Sequence, residues 1–186
     1  MSSRIAVLLL SFFLAAAGTQ AQDLAGVKLP ESYKLSSGTL VLNGAAVHEA
    51  FFAQDYVGAL YLPAQQSDAS AILNADAPRR MVIHFLFSVD KKQMADAWRG
   101  GLKTNTSKPS PEVKAAFDKL VEWTADVIDG TEIVLTYSPG NGTAVQVNGA
   151  MRGILPGKET ADAILATWIG PKPQPGDAFK KGVLGR

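Results

Sequence analysis

The side chains best suited to proton chemistry near neutral pH are His48 and His84, the only two histidines in the chain. Imidazole is the one side chain whose unperturbed titration falls in that range. His48 lies within LNGAAVHEAFFAQDYVGALYLP, residues 42–63. Facing a cavity, it would act as an acid–base group or a polar anchor. On a surface loop beside Glu49 it would do neither, and its position alone favours the loop. His84 sits inside the apolar run Met81 to Phe87. A hydrogen-bonded core or cavity-edge histidine fits there better than a catalytic one. Tyr56 offers a hydroxyl as a second polar group, and Thr167-Trp168 combines a hydroxyl with an indole wall, although plain packing explains that pair equally well. The aromatics Phe51, Phe52, Tyr56, Phe85, Phe87 and Trp98 would line a site or fill a core. No G-x-S-x-G, P-loop or H-E-x-x-H motif is present. The chain has no cysteine, which removes thiolate metal sites and cysteine nucleophiles. Two histidines make a zinc site a poor fit. No metal and no cofactor is expected.

The elements that must position these groups begin after a leader. Arg4 precedes the apolar run Ile5 to Ala17 and the small-residue stretch Gly18 to Ala21. That pattern predicts a secretory signal peptide over residues 1–21, cut after Ala21, and a periplasmic or secreted protein. The run is short of the about 20 apolar residues a membrane span needs, so no transmembrane segment is expected after cleavage. Lys and Arg total 18 and Asp and Glu 17. Without Arg4 the remainder, residues 22–186, is formally neutral, which gives nucleic acid or an anionic membrane no electrostatic hold. Those residues read as a single domain, large enough for a real core.

Within it, Thr39 to Leu42 reads as a short strand entering an Asn43-Gly44 hairpin turn, the type I′ pair. The strand Asp55 to Leu62 alternates, with Tyr56, Gly58, Leu60 and Leu62 on one face and Val57, Ala59 and Tyr61 on the other, so both faces can be covered. A short helix is expected at Ser67 to Leu73, and a buried strand at Met81 to Phe87. Asp90 caps a helix that carries Met94, Ala97 and Trp98 on one side and ends near Gly100-Gly101. Ser110-Pro111-Glu112 starts another, with Val113, Phe117, Leu120, Val121, Thr124 and Val127 at helical spacing and Asp129-Gly130 as its stop. Thr131 to Ser138, Thr143 to Val147 and Ala150 to Leu155 form a three-stranded meander. A helix carrying Ala161, Ile164, Leu165 and Trp168 follows, then a short last helix near Asp177 to Leu184. The pattern predicts an α+β fold, with an antiparallel sheet and a layer of helices on one face.

Three blocks, residues 42–63, 81–102 and 161–185, together resemble the chalcone isomerase-like superfamily, and the meander is similar to its bacterial, secreted branch. The resemblance implies an open-faced β-sandwich, a large antiparallel sheet covered by helices with a ligand cleft between them. It also implies where a site would lie. In the plant enzymes of this superfamily an arginine holds a phenolate while it adds to an enone. That arginine corresponds to His48, the threonine of the next strand to Tyr56, a tyrosine on the following helix to Met94 and an asparagine beyond it to Gly101. The threonine of the last block is kept as Thr167. A permanent cation is thus replaced by a largely neutral imidazole, and two polar groups by residues with none to offer an oxyanion.

The ligand-binding residues expected on this basis are His48, Tyr56, Thr167, Trp98, Trp168, Met94 and His84, with no catalytic residue. The first functional reading is a periplasmic, non-catalytic binding protein for a small hydrophobic or amphipathic molecule of fatty-acid or aromatic-acid type. The second is an isomerase or intramolecular lyase acting on an enone-like substrate through His48 and Tyr56. The third is an accessory or structural protein with a collapsed cleft. Fold alone does not choose among them.

Overall fold

A computed structural model describes residues 22–50 and 53–186. The expected signal peptide, and Phe51 and Phe52, lie outside the described residues. Among the described residues nine strands and five helices follow in the order β1 (Gln22–Leu24), β2 (Val27–Leu29), β3 (Ser32–Leu35), β4 (Gly38–Ala50), β5 (Ala53–Leu62), α1 (Ala69–Asn74), β6 (Arg79–Phe85), α2 (Lys91–Asn105), α3 (Pro111–Trp123), β7 (Glu132–Ser138), β8 (Gly142–Val147), β9 (Ala150–Leu155), α4 (Lys158–Ile169) and α5 (Asp177–Val183). Strands β3 to β9 form one seven-stranded sheet in sequential order, and each pairs antiparallel with the next. This is the α+β architecture expected, a long meander interrupted by helices that return to one face.

Strand periodicity divides the core in two. Leu60, Leu62, Met81, Ile83, Ile133 and Val145 point to the helices and pack against residues such as Trp98, Phe117, Leu120, Ile164 and Phe179. Their neighbours Val57, Ala59, Tyr61, Val82 and Val134 point the other way and pack beneath Val27 and Leu29 of the β1–β2 hairpin. Both faces of β5 are therefore covered, as its alternation allows.

Helix caps explain where α2 and α3 begin. Asp90 accepts from Gln93 N, and the Gln93 side chain returns to Asp90 N, a complete capping box. Ser110 accepts from Val113 N with Pro111 in the first turn.

Three expectations fail. Asn43-Gly44 is no turn; it lies inside β4, at a bulge between Leu42 and Gly44. Asn43 is buried, donates through Nδ2 to Val183 O (2.9 Å) and accepts at Oδ1 from Gln66 N (2.7 Å). A Cβ on Gly44 would lie 2.2 Å from Gly182 O, so glycine is present to let α5 approach the strand. The second expectation ended α2 near Gly100-Gly101, yet it continues to Asn105, because Gly101 is where α4 packs closely rather than a stop. The third ran α3 to Asp129-Gly130, whereas it ends at Trp123. Asp126 has φ 57°, outside helical space, and Val127 instead bridges to Val89.

Candidate functional site

A cavity of about 460 Å³ lies between the helix-facing side of the sheet and helices α2 and α4. Its floor is Tyr56 on β5, Ile83 and Phe85 on β6, and Ile133 on β7. These share a face because Tyr56 pairs with Phe85 and Ile83 pairs with Ile133. The opposite wall is Met94, Ala97 and Trp98, one helical stripe of α2, and Thr167-Trp168 of α4. Phe87, Ser88 and Val89, with Gln93 and Gln174, surround the rest.

The aromatic wall is fixed by its polar edges. The Trp98 and Trp168 rings meet edge-to-face, with centroids 5.4 Å apart and planes at 90°. Trp98 Nε1 donates to Thr124 Oγ1 (2.9 Å), and Thr124 Oγ1 in turn donates to Leu120 O (2.7 Å). Trp168 Nε1 donates to the Tyr56 hydroxyl (3.3 Å). With both indole N–H groups engaged, each tryptophan is held in one orientation.

The polar groups collect at one corner. His48 is directly opposite Tyr56 across β4 and β5, and the two rings stack with centroids 4.9 Å apart and an interplanar angle of 27°. Phe179 of α5 backs both rings edge-on. His48 Nδ1 lies 3.2 Å from Asp55 Oδ2. The approach is off the ideal hydrogen-bonding direction, so Nδ1 faces the carboxylate in a close polar contact rather than a well-aligned bond. Burial pushes the His48 pKa below its ordinary value, and the Asp55 carboxylate opposes that shift without cancelling it. His48 is therefore neutral at pH 7. Burial likewise pushes the Tyr56 phenol far up, against the opposing pull of the Trp168 N–H, so it is a neutral hydroxyl. Thr167 Oγ1 is buried and has no protein partner among the described residues.

Six of the seven expected ligand-binding residues, His48, Tyr56, Met94, Trp98, Thr167 and Trp168, border this one cavity. His84 does not. It pairs with Val57 and Glu132, and strand alternation turns it to the face that carries the β1–β2 hairpin. Asp55, Gln93 and Gln174 were missed. Asp55 had a visible signal, a charge opening an apolar strand beside Tyr56. Gln174 had none, because it is brought in by an irregular segment anchored through Gln174 N to Thr167 O (2.8 Å).

The whole of this framework, residues 21–185, matches the family model described as chalcone isomerase-like. The chain belongs to the chalcone isomerase-like family. Among solved structures it is similar to a fatty-acid binding protein of Arabidopsis thaliana, with a TM-score of 0.69 over 88% of this chain and 95% of that one. Identity between the two is 15%, so the likeness is one of fold. No curated protein matches the sequence. Within the family pattern, the position where the resemblance implies an arginine holds a neutral histidine beside a carboxylate. The position of the implied asparagine is Gly101, where a Cβ would already lie 2.7 Å from Thr167 Oγ1.

Proposed function

We propose that the protein is a non-catalytic binding protein for a small hydrophobic or amphipathic molecule, whose apolar part is of the kind carried by fatty acids and aromatic acids. The observation that carries this reading is the cavity itself. A space of about 460 Å³ with a mostly apolar, preformed wall and a few polar groups at one corner is the usual form of a small-molecule site. Such a space also counts against a collapsed cleft. The fatty-acid binding of its structural neighbour is in keeping with this use of the fold. Titration with Nile red, an uncharged hydrophobic dye, tests it. Saturable enhancement of dye emission at one site, lost when Ala97→Trp fills the cavity, is the expected result. No uptake by the unaltered protein would contradict it.

The His48–Asp55 contact favours a second reading, an isomerase or intramolecular lyase. A histidine held by a carboxylate inside a cavity is a recognisable acid–base arrangement. Loss of the ultraviolet chromophore of a chalcone follows that reaction directly. Turnover well above the spontaneous rate, abolished by His48→Ala, would move this reading to first place.

The site of action belongs to the same proposal. The order of Arg4, the apolar run from Ile5 and the small residues before Gln22 supports export to the periplasm or the medium. Amino-terminal sequencing of protein recovered from a secreting host should begin near Gln22, and a start at Met1 would refute export.

A further inference from the structure

The charged and polar groups of the cavity are unevenly balanced. Among its lining residues Asp55 is the acid, His48 is the only group able to become a cation, and no Lys or Arg is present. A neutral imidazole beside a carboxylate places its proton on the nitrogen facing that carboxylate, here Nδ1, and leaves Nε2 as an acceptor. Asp55 is also an acceptor. The Tyr56 hydroxyl receives the Trp168 N–H, so its own proton is free to be donated. The groups around His48 therefore combine two acceptors with the Tyr56 donor; Thr167 adds a buried hydroxyl with no protein partner among the described residues, and Ser88, Gln93 and Gln174 border the same cavity with uncharged side chains.

We infer that the cavity takes an amphipathic molecule whose polar end is an uncharged group that both donates and accepts, a hydroxyl being the simplest, and that it discriminates against a carboxylate. This rests on the binding reading above. A hydroxyl gives its proton to His48 Nε2 or Asp55 and accepts from Tyr56. A carboxylate is acceptor-only; it meets two acceptors, has no cation to neutralise it, and is repelled by Asp55 in a medium less polar than water.

The test compares 1-decanol with decanoate, equal in chain length, by isothermal titration at pH 8, where the acid is ionised. Decanol should bind about tenfold more tightly or better, a difference of the size expected for one close like-charge contact. In Asp55→Asn, which removes the charge and keeps the shape, the preference should shrink to about threefold or less; an unaltered melting temperature verifies its fold. Decanoate binding as tightly as decanol to the unaltered protein overturns the head-group inference and leaves the binding reading standing. A full preference that survives Asp55→Asn also overturns it, because the discrimination then comes from elsewhere. Failure of both probes to bind removes the binding reading and this inference with it.

Discussion

Gly100 and Gly101 stand side by side in α2 and meet different surroundings. A Cβ on Gly100 would enter open space, whereas one on Gly101 would lie 2.5 Å from Thr167 Cγ2, 2.7 Å from its Oγ1 and 3.0 Å from its Cβ. Either alanine substitution removes the entropic cost of glycine inside a helix, a gain of about 0.5–1 kcal/mol. Gly100→Ala should keep that gain. At Gly101, ordinary contact begins near 3.4 Å. Helix α4 must therefore retreat by most of an ångström, or Thr167 must leave its rotamer, and overpacking of this kind costs about 1–3 kcal/mol. The net expectation for Gly101→Ala is a loss of about 1–2 kcal/mol. Thr167→Ala deletes the two nearest atoms and should relieve it, so the two changes couple by about 1–3 kcal/mol in a double-mutant cycle. Urea unfolding of the four proteins, with unchanged slope, reads these differences. Gly101→Ala as stabilising as Gly100→Ala would refute the close α2–α4 contact that bounds the cavity.

Two further outcomes are expected. Phe117 and Leu120 are 2% and 0% exposed on the core side of α3, and truncating either to Ala should cost about 2–5 kcal/mol in the same assay; a loss under about 0.5 kcal/mol, the surface range, would mean the face is wrongly assigned. The His48 pKa is lowered on folding from its ordinary 6.5. Between that value and the lower folded value the unfolded chain binds more protons, so stability is fully present above pH 6.5 and is lost as pH falls through the folded value. His48→Phe should flatten that decline relative to the unaltered protein, and identical pH profiles for the two would show that His48 is not the group responsible.

Most of the fold could be read from local rules, because caps and periodicity act within a few residues. Asp90 and Ser110 start their helices as their types demand, and the Pro139–Gly142 and Asn148-Gly149 segments set the meander. Two of the errors share one cause. Asn43-Gly44 and Gly101 are residue types that usually mark turns and ends, used here to bring α5 onto β4 and α4 onto α2. Such use depends on contacts between residues far apart in sequence, as with Asn43 and Val183, which no local window contains. The site shows the same division. The resemblance pointed to His48, Tyr56, Met94 and Thr167, and the structure brings them to one cavity. Ile83 and Ile133 line that cavity too, yet in sequence they look like any other buried strand residues. His84 was misplaced because a lone histidine in an apolar run does not reveal which face it takes. Strand register does, pairing it with Val57.

Native mass spectrometry of the protein purified from its own host tests the central claim most directly, since gentle ionisation preserves a ligand enclosed by Trp98, Trp168, Tyr56 and Met94. A single small molecule bound in a one-to-one ratio, and lost from Ala97→Trp, is the expected spectrum. A protein that is consistently empty, and that stays empty after exposure to extracted host lipids, would contradict the binding function.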